Sequence, residues 1–256
     1  MTIKEVCERC GISADTLRYY ERVGVVPPVG RTKGGIRFYT DEAMRTGVLR
    51  WNMSKKRRDF QMEFMTLNNG QKCPVIGIGT FLIKPVDAEN SVREALKMGY
   101  SCIDTAAAYC NERAVGRGMK SSGVARENIF LSTKIWPSDY ENQNAVNETL
   151  ERLDTDYVDL LYIHQPAGNW MSGYRMLEKA YRDGKAKSIG ISNFEGEFIE
   201  ELEKKWEIVP QFMQVEAHPY FTQDKLRTKL DEFGIKLMSW FPLGQGDKAL
   251  IGETIF

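Results

Sequence analysis

The stretch YVDLLYIHQP, residues 157–166, decides the fold. Its first seven residues form an apolar run rich in branched and aromatic side chains, which reads as a strand. His164 follows at once. Amphipathic stretches flank the run: NQNAVNETLERLD (142–154) before it and GYRMLEKAYRDGK (173–185) after it. The same alternation extends outward in both directions. Strand-like runs occur at 100–103 (YSCI), 129–133 (IFLST), 188–191 (SIGI), 211–215 (QFMQV) and 235–240 (IKLMSW). Between them lie DAENSVREALKMG, ERAVGRGMKSSG, EGEFIEELEKKW and TQDKLRTKLDEFG, each with helical spacing. A turn at Asn69-Gly70 separates two short β-like runs, predicting a hairpin that leads into a first strand at Val75–Gly79. Seven strands are expected after the hairpin. Repeated β/α units predict a parallel sheet, either a barrel or an open doubly wound sheet. No G-x-G-x-x-G opens a helix after the first strand, which argues against a Rossmann domain.

A barrel carries its chemistry at the C-terminal ends of its strands. Polar residues gather there: Asp104, with Tyr109 in its loop, then Lys134, His164, Ser192 with Asn193, and Gln214. Each has a plainer reading. Asp104 could cap a helix, Lys134 could be a surface lysine, and His164 a satisfied core histidine. Four such residues at four matching positions are hard to obtain by chance. Together they suggest a phenol whose pKa, ordinarily near 10, is drawn down by a lysine that a carboxylate holds. Gln214, Glu216 and His218 are too few and too mixed for a metal site, so no metal is expected.

The chain has 256 residues, 42% hydrophobic, with no net charge. The charge is unevenly spread. Residues 1–60 hold 13 Lys/Arg against 7 Asp/Glu, and the remainder is correspondingly acidic. This predicts two units, one facing a polyanion. The five cysteines show no disulfide framework, and neither a signal peptide nor a membrane span is visible. A cytoplasmic protein with reduced thiols is expected. Cys7 and Cys10 form a C-x-x-C pair without a second ligand pair. With Ile3 and Val6 they fall at helical spacing, which places them on a buried helix face.

TIKEVCERCGISADTLRYYERVGVVPP (2–28) reads as helix, turn, helix, stop, with Gly11 ending the first helix and Ser13 capping the second. RTKGGIRFYTDE (31–42) reads as a basic hairpin around Gly34-Gly35, before a further helix through DEAMRTGVLRW. A helix-turn-helix with a basic wing is a DNA-docking arrangement, and a small helical hairpin with a solvated charged face is the alternative. The TLRYYE and IRFYT motifs resemble the start of the MerR family of transcriptional regulators. That resemblance covers residues 1–50 and implies Arg18, Tyr19, Arg37 and Tyr39 as DNA contacts. Residues 51–61, WNMSKKRRDFQ, read as a basic linker before a second domain at 62–256.

That second domain resembles the aldo-keto reductase superfamily, in the style of the small bacterial reductases of the 2,5-diketogluconate reductase type. The matching motifs are IGIGTF (76–81), IDTAAAYCNERAVG (103–116), LSTKIWP (131–137), RLDTDYVDLLYIHQP (152–166), KSIGISNF (187–194), QVEAHPY (214–220) and SWFPLG (239–244). The resemblance implies a (β/α)8-type TIM barrel, here α/β and lacking its last β/α unit. It implies reduction of a small carbonyl substrate, with Tyr109 as general acid, Lys134 and Asp104 tuning it, and His164 orienting the carbonyl oxygen. It also implies NADPH, preferred over NAD, held by Ser192, Asn193, Gln214, Leu243 and Gly244. Trp240 stands where the family stacks a tyrosine on the nicotinamide. Trp136, Phe81 and Trp170 would line the substrate pocket. Two other readings stand beside the enzyme: a MerR-like regulator whose barrel binds a metabolite without turning it over, and a fusion of two neighbouring reading frames.

Overall fold

Alternation along each apolar run sends successive side chains to opposite faces of a sheet, so one run feeds two different environments. The computed structural model describes residues 2–10, 14, 29–31, 34–35, 37–39 and 62–244. The chain divides into two compact units, Met1–Gln61 and Met62–Phe256.

The second unit is a curled, parallel seven-stranded half-barrel with α/β alternation. Its strands are β5 (Ile78–Gly79), β6 (Cys102–Asp104), β7 (Phe130–Ile135), β8 (Leu160–Ile163), β9 (Ile189–Ser192), β10 (Phe212–Glu216) and β11 (Lys236–Trp240). Each pairs in parallel with the next in the chain. Six helices connect them: α2 (Pro85–Lys97), α3 (Glu112–Ser122), α4 (Ala145–Leu153), α5 (Trp170–Arg182), α6 (Glu197–Glu203) and α7 (Asp224–Asp231). All six amphipathic stretches form helices. α5 begins earlier than its apolar spacing suggests, because the Asn169 side-chain oxygen accepts from Ser172 N at 3.3 Å and caps it there.

One face of the sheet meets the helices. Ile103, Leu131, Leu161, Ile163, Ile189, Ile191, Met213 and Val215 share a core with helix residues such as Val92, Val115, Leu150, Leu177 and Leu202. Each such side chain contributes about 1.5–3 kcal/mol on burial. The alternate residues Cys102, Phe130, Leu160, Tyr162 and Phe212 pack on the other face with Leu67 and Cys73. Those last two come from the expected hairpin, β3 (Phe64–Thr66) against β4 (Lys72–Pro74). Its turn takes a left-handed Gly70, φ 87°. Asn68 and Asn69 tie it down by donating to Pro210 O and Lys187 O, each at 3.0 Å.

One strand is shorter than expected. Val75 N still donates to Glu63 O at 2.9 Å, so residue 75 belongs to the hairpin and only Ile78–Gly79 join the sheet.

In the first unit, α1 spans Ile3–Cys10, and Gly11, expected to stop it, lies outside the described residues. Val6 is buried and Cys7 half-buried on it. β1 (Gly30–Arg31) and β2 (Arg37–Phe38) pair antiparallel, with Gly35 at φ 78°, as the basic hairpin requires. Apart from Ala14, which is helical, the expected second helix lies outside the described residues, as do the helix through residues 41–51 and the linker 51–61. No described helix is long and apolar enough to cross a membrane.

Candidate active site

Going up the strands from the Cys102–Phe212 layer, the same alternation turns polar: Asp104 follows Cys102, Lys134 follows Phe130 and Ser132, His164 follows Tyr162, and Gln214 follows Phe212. Lys134 is fully buried. Its Nζ donates to Asp104 Oδ2 at 2.7 Å and to Thr105 O at 2.8 Å. Asp104 Oδ1 accepts from Ser132 Oγ at 2.6 Å. A buried ammonium is tolerable only with such a partner, and removing the carboxylate would leave an uncompensated charge.

Tyr109 ends a short 3-10 turn, Ala107–Tyr109, and its ring centroid lies 5.2 Å from Lys134 Nζ. Asn111 anchors the loop from within. Its amide donates to Thr80 O at 2.8 Å and Ile83 O at 3.0 Å, while its oxygen accepts from Thr105 Oγ1 at 3.1 Å. The phenol does not follow the expected shift. Burial pushes its pKa above the ordinary value and outweighs the opposing Lys134 charge, while Asp104 adds to the rise. The lysine is visible in the sequence, whereas the burial that outweighs it exists only in the folded chain. The result is a phenol that keeps its proton at neutral pH.

His164 stands edge-on to Tyr109 and Trp136, with centroids 5.8 and 4.9 Å apart. Burial, reinforced by Lys134, holds its pKa at about 4, so the imidazole is neutral. Its Nδ1 is buried without a hydrogen-bond partner. Phe81 lies 5.1 Å from the Tyr109 ring and 6.0 Å from that of Phe241. These rings form an aromatic wall over the buried charges. Trp170 is not part of it: its indole is buried at the start of α5 against Phe194 and Phe198.

Beside this group, Ser192 and Gln214 are buried and register-paired, and Asn193 follows in the left-handed region at φ 61°. Asn193 N donates to Gln214 O at 2.9 Å. Trp240 Nε1 donates to Asn193 Oδ1 at 3.0 Å, and Gln214 Nε2 lies 3.0 Å from Met238 Sδ. Leu243 is exposed, and Gly244 closes a turn onto Phe241 O at 2.8 Å. The residues read from sequence as a catalytic group and as a cofactor group therefore come from one end of one sheet. Asn111, Met238 and Phe241 escaped that reading. Asn111 lies inside the IDTAAAYCNE stretch, but nothing in its spacing marks it as buried.

In the first unit, Arg37 is half-buried and Tyr39 buried, while Arg18 and Tyr19 lie outside the described residues. Among the described residues, no group of three or more His, Cys, Asp or Glu is placed to hold a metal ion.

Both parts of the chain resemble known proteins. Residues 2–39 match the MerR family regulatory protein model. The glyoxal reductase of Bacillus subtilis is 48% identical over 185 residues, covering 70% of this chain and 67% of its own length. The crystal structure of an aldo/keto reductase from Brucella melitensis superposes with a TM-score of 0.71 at 40% identity, over 75% of this chain and 78% of that one. A Bombyx mori aldo-keto reductase, solved in complex with NADP, gives 0.66 at 32% identity over 71% and 67%. The chain thus spans about two thirds of the length of the curated relatives it matches. With residues 75–247 matching the aldo/keto reductase family model, the chain belongs to the aldo-keto reductase family.

Proposed function

We propose that residues 62–256 reduce the carbonyl group of a small aldehyde or ketone with NADPH. The observation that carries the reading is the buried Lys134–Asp104 pair, 2.7 Å apart, beneath a phenol that retains its proton. The nicotinamide, when bound, supplies hydride to the carbonyl carbon. Tyr109 gives its proton to the carbonyl oxygen, and the Lys134 ammonium stabilises the phenolate left behind. Asp104 holds Lys134 in place. Neutral His164 donates a hydrogen bond to the same oxygen. Trp136 and Phe81 offer an apolar wall to the rest of the substrate. Ser192, Asn193 and Gln214 would hold the nicotinamide carboxamide, Trp240 would offer its indole to the ring, and Leu243 with Gly244 would border the cofactor. The fit is supported by an orphaned buried ring nitrogen at His164 and by the buried Gln214 amide beside the half-buried Asn193 amide. NADPH rather than NADH is proposed from the Bombyx mori relative's complex. The free thiols of Cys73, Cys102 and Cys110 support a cytoplasmic setting.

Tyr109→Phe tests the reading. With glyoxal and NADPH, the variant should lose at least about 100-fold in kcat, the share that general acid catalysis supplies. NADPH affinity should be unchanged. A Phe variant with wild-type turnover would remove Tyr109 from the role.

For residues 1–50 we propose DNA contact through Arg18, Tyr19 and Arg37, with the buried Tyr39 supporting the wing from within, on the strength of the MerR match and the basic balance of that segment.

A further inference from the structure

An indole N–H can only donate a hydrogen bond, and a thioether sulfur can only accept one. Two such groups face the two amides of the site, Asn193 and Gln214. Trp240 Nε1 lies 3.0 Å from Asn193, so the amide atom turned toward it must be the oxygen. Met238 Sδ lies 3.0 Å from Gln214 and also receives the Tyr162 hydroxyl at 3.4 Å, so the Gln214 atom turned toward it must be the nitrogen. Met238 and Trp240 are two residues apart on β11 and share its inner face. In register they lie beside Gln214 and Glu216 of β10. Asn193 is fixed as well, through its N–H to Gln214 O and its left-handed backbone.

What remains for a ligand is a donor on Asn193 and an acceptor on Gln214, beside the second hydrogen of Gln214 Nε2. Asn193 Nδ2 makes only a long contact with His164 O, 3.4 Å, and keeps a second hydrogen. Gln214 Oε1 is left as the acceptor once its nitrogen is committed to sulfur. A primary carboxamide is the complement: its carbonyl accepts and its NH2 donates. We infer that Trp240 and Met238 are positioning residues that set the polarity of the Asn193 and Gln214 amides, so that the site reads a primary carboxamide in one orientation. The inference rests on the proposal that these amides hold the nicotinamide carboxamide.

The test is calorimetric titration of the full chain with NADP and with its 3-acetylpyridine analogue, which keeps the carbonyl and replaces NH2 by CH3. The wild-type chain should prefer NADP by about 5-fold, one hydrogen bond's worth. Trp240→Phe keeps a flat ring and deletes the donor. It should weaken both ligands by a similar factor, because both carry the carbonyl that Asn193 serves. Met238→Leu should weaken NADP alone and narrow the preference. A merely structural role would weaken both ligands equally in both variants, and that pattern overturns the inference, as does an unchanged Trp240→Phe. Asn193→Asp is the second variant if Trp240→Phe does not fold: it keeps an oxygen for the indole, loses the donor, and should weaken both ligands. If Asn193→Ala and Gln214→Ala leave NADP affinity unchanged, or the chain binds no NADP, the underlying cofactor proposal fails instead.

Discussion

A histidine kept neutral by its surroundings carries a cost that depends on pH. His164 has a folded-state pKa of about 4, against an ordinary 6.5. Below 6.5 the unfolded chain takes up a proton that the folded one refuses. The stability associated with this site is therefore complete above 6.5 and is lost progressively as pH falls toward 4, up to about 3 kcal/mol. His164→Gln should flatten that acid limb. Urea midpoints at neutral pH and near pH 4.5 measure it, and a variant with the wild-type slope would refute the assignment. Tyr109 shifts in the other direction for the same physical reason, since burial disfavours the charged form of each ring. Both rings are thus uncharged at neutral pH, as the proposed reaction requires of a proton donor and a hydrogen-bond donor.

At the scale of strands and helices, close packing determines which residues are replaceable. Gly190 of β9 has no room for a side chain: a Cβ there would meet the Tyr162 ring at 2.4 Å and Phe212 O at 3.0 Å. Gly190→Ala should cost at least about 1–3 kcal/mol, the usual penalty of overpacking, read as a lower urea midpoint. An unchanged midpoint would mean that Tyr162 can retreat. Much of this architecture was legible beforehand. Seven apolar runs became seven strands because alternation and run length depend on the local chain alone. Asp104, Lys134, His164 and Gln214 could be grouped because a parallel β/α repeat brings strand ends together. What stayed hidden depends on partners distant in the chain. The hairpin's hold on Val75 shortened a strand, and the packing of Trp170 on Phe194 withdrew it from the expected pocket. The Trp240–Asn193 and Met238–Gln214 contacts follow from register, which no single run encodes. Net pKa shifts depend on burial, and burial is a property of the assembled fold.

Over the whole chain, charge is segregated: the first 60 residues are basic and the rest acidic. If the basic part meets DNA, most of its affinity is electrostatic and non-specific. Binding should then be weak and should fall steeply between about 50 and 200 mM salt. Arg37→Ala should weaken it across sequences alike, as checked by fluorescence anisotropy on unrelated duplexes. Tight, sequence-specific binding by a monomer would contradict this. The order of the large sheet has a separate consequence. Because each strand pairs with the next, β8 occupies the centre, and every residue of β7, β8 and β9 is buried. Burial thins toward β11, which is half-buried throughout, and β5, with Ile78 half-buried and Gly79 exposed. Local opening begins where least surface must be exposed, so amide hydrogens should exchange with solvent in a spatial sequence. In deuterium the protons on Ile78 and Leu237 should be lost early, and those on Leu161 and Ile163 should persist until the unit opens as a whole. Uniform exchange across all seven strands would instead mark the sheet as a single cooperative body.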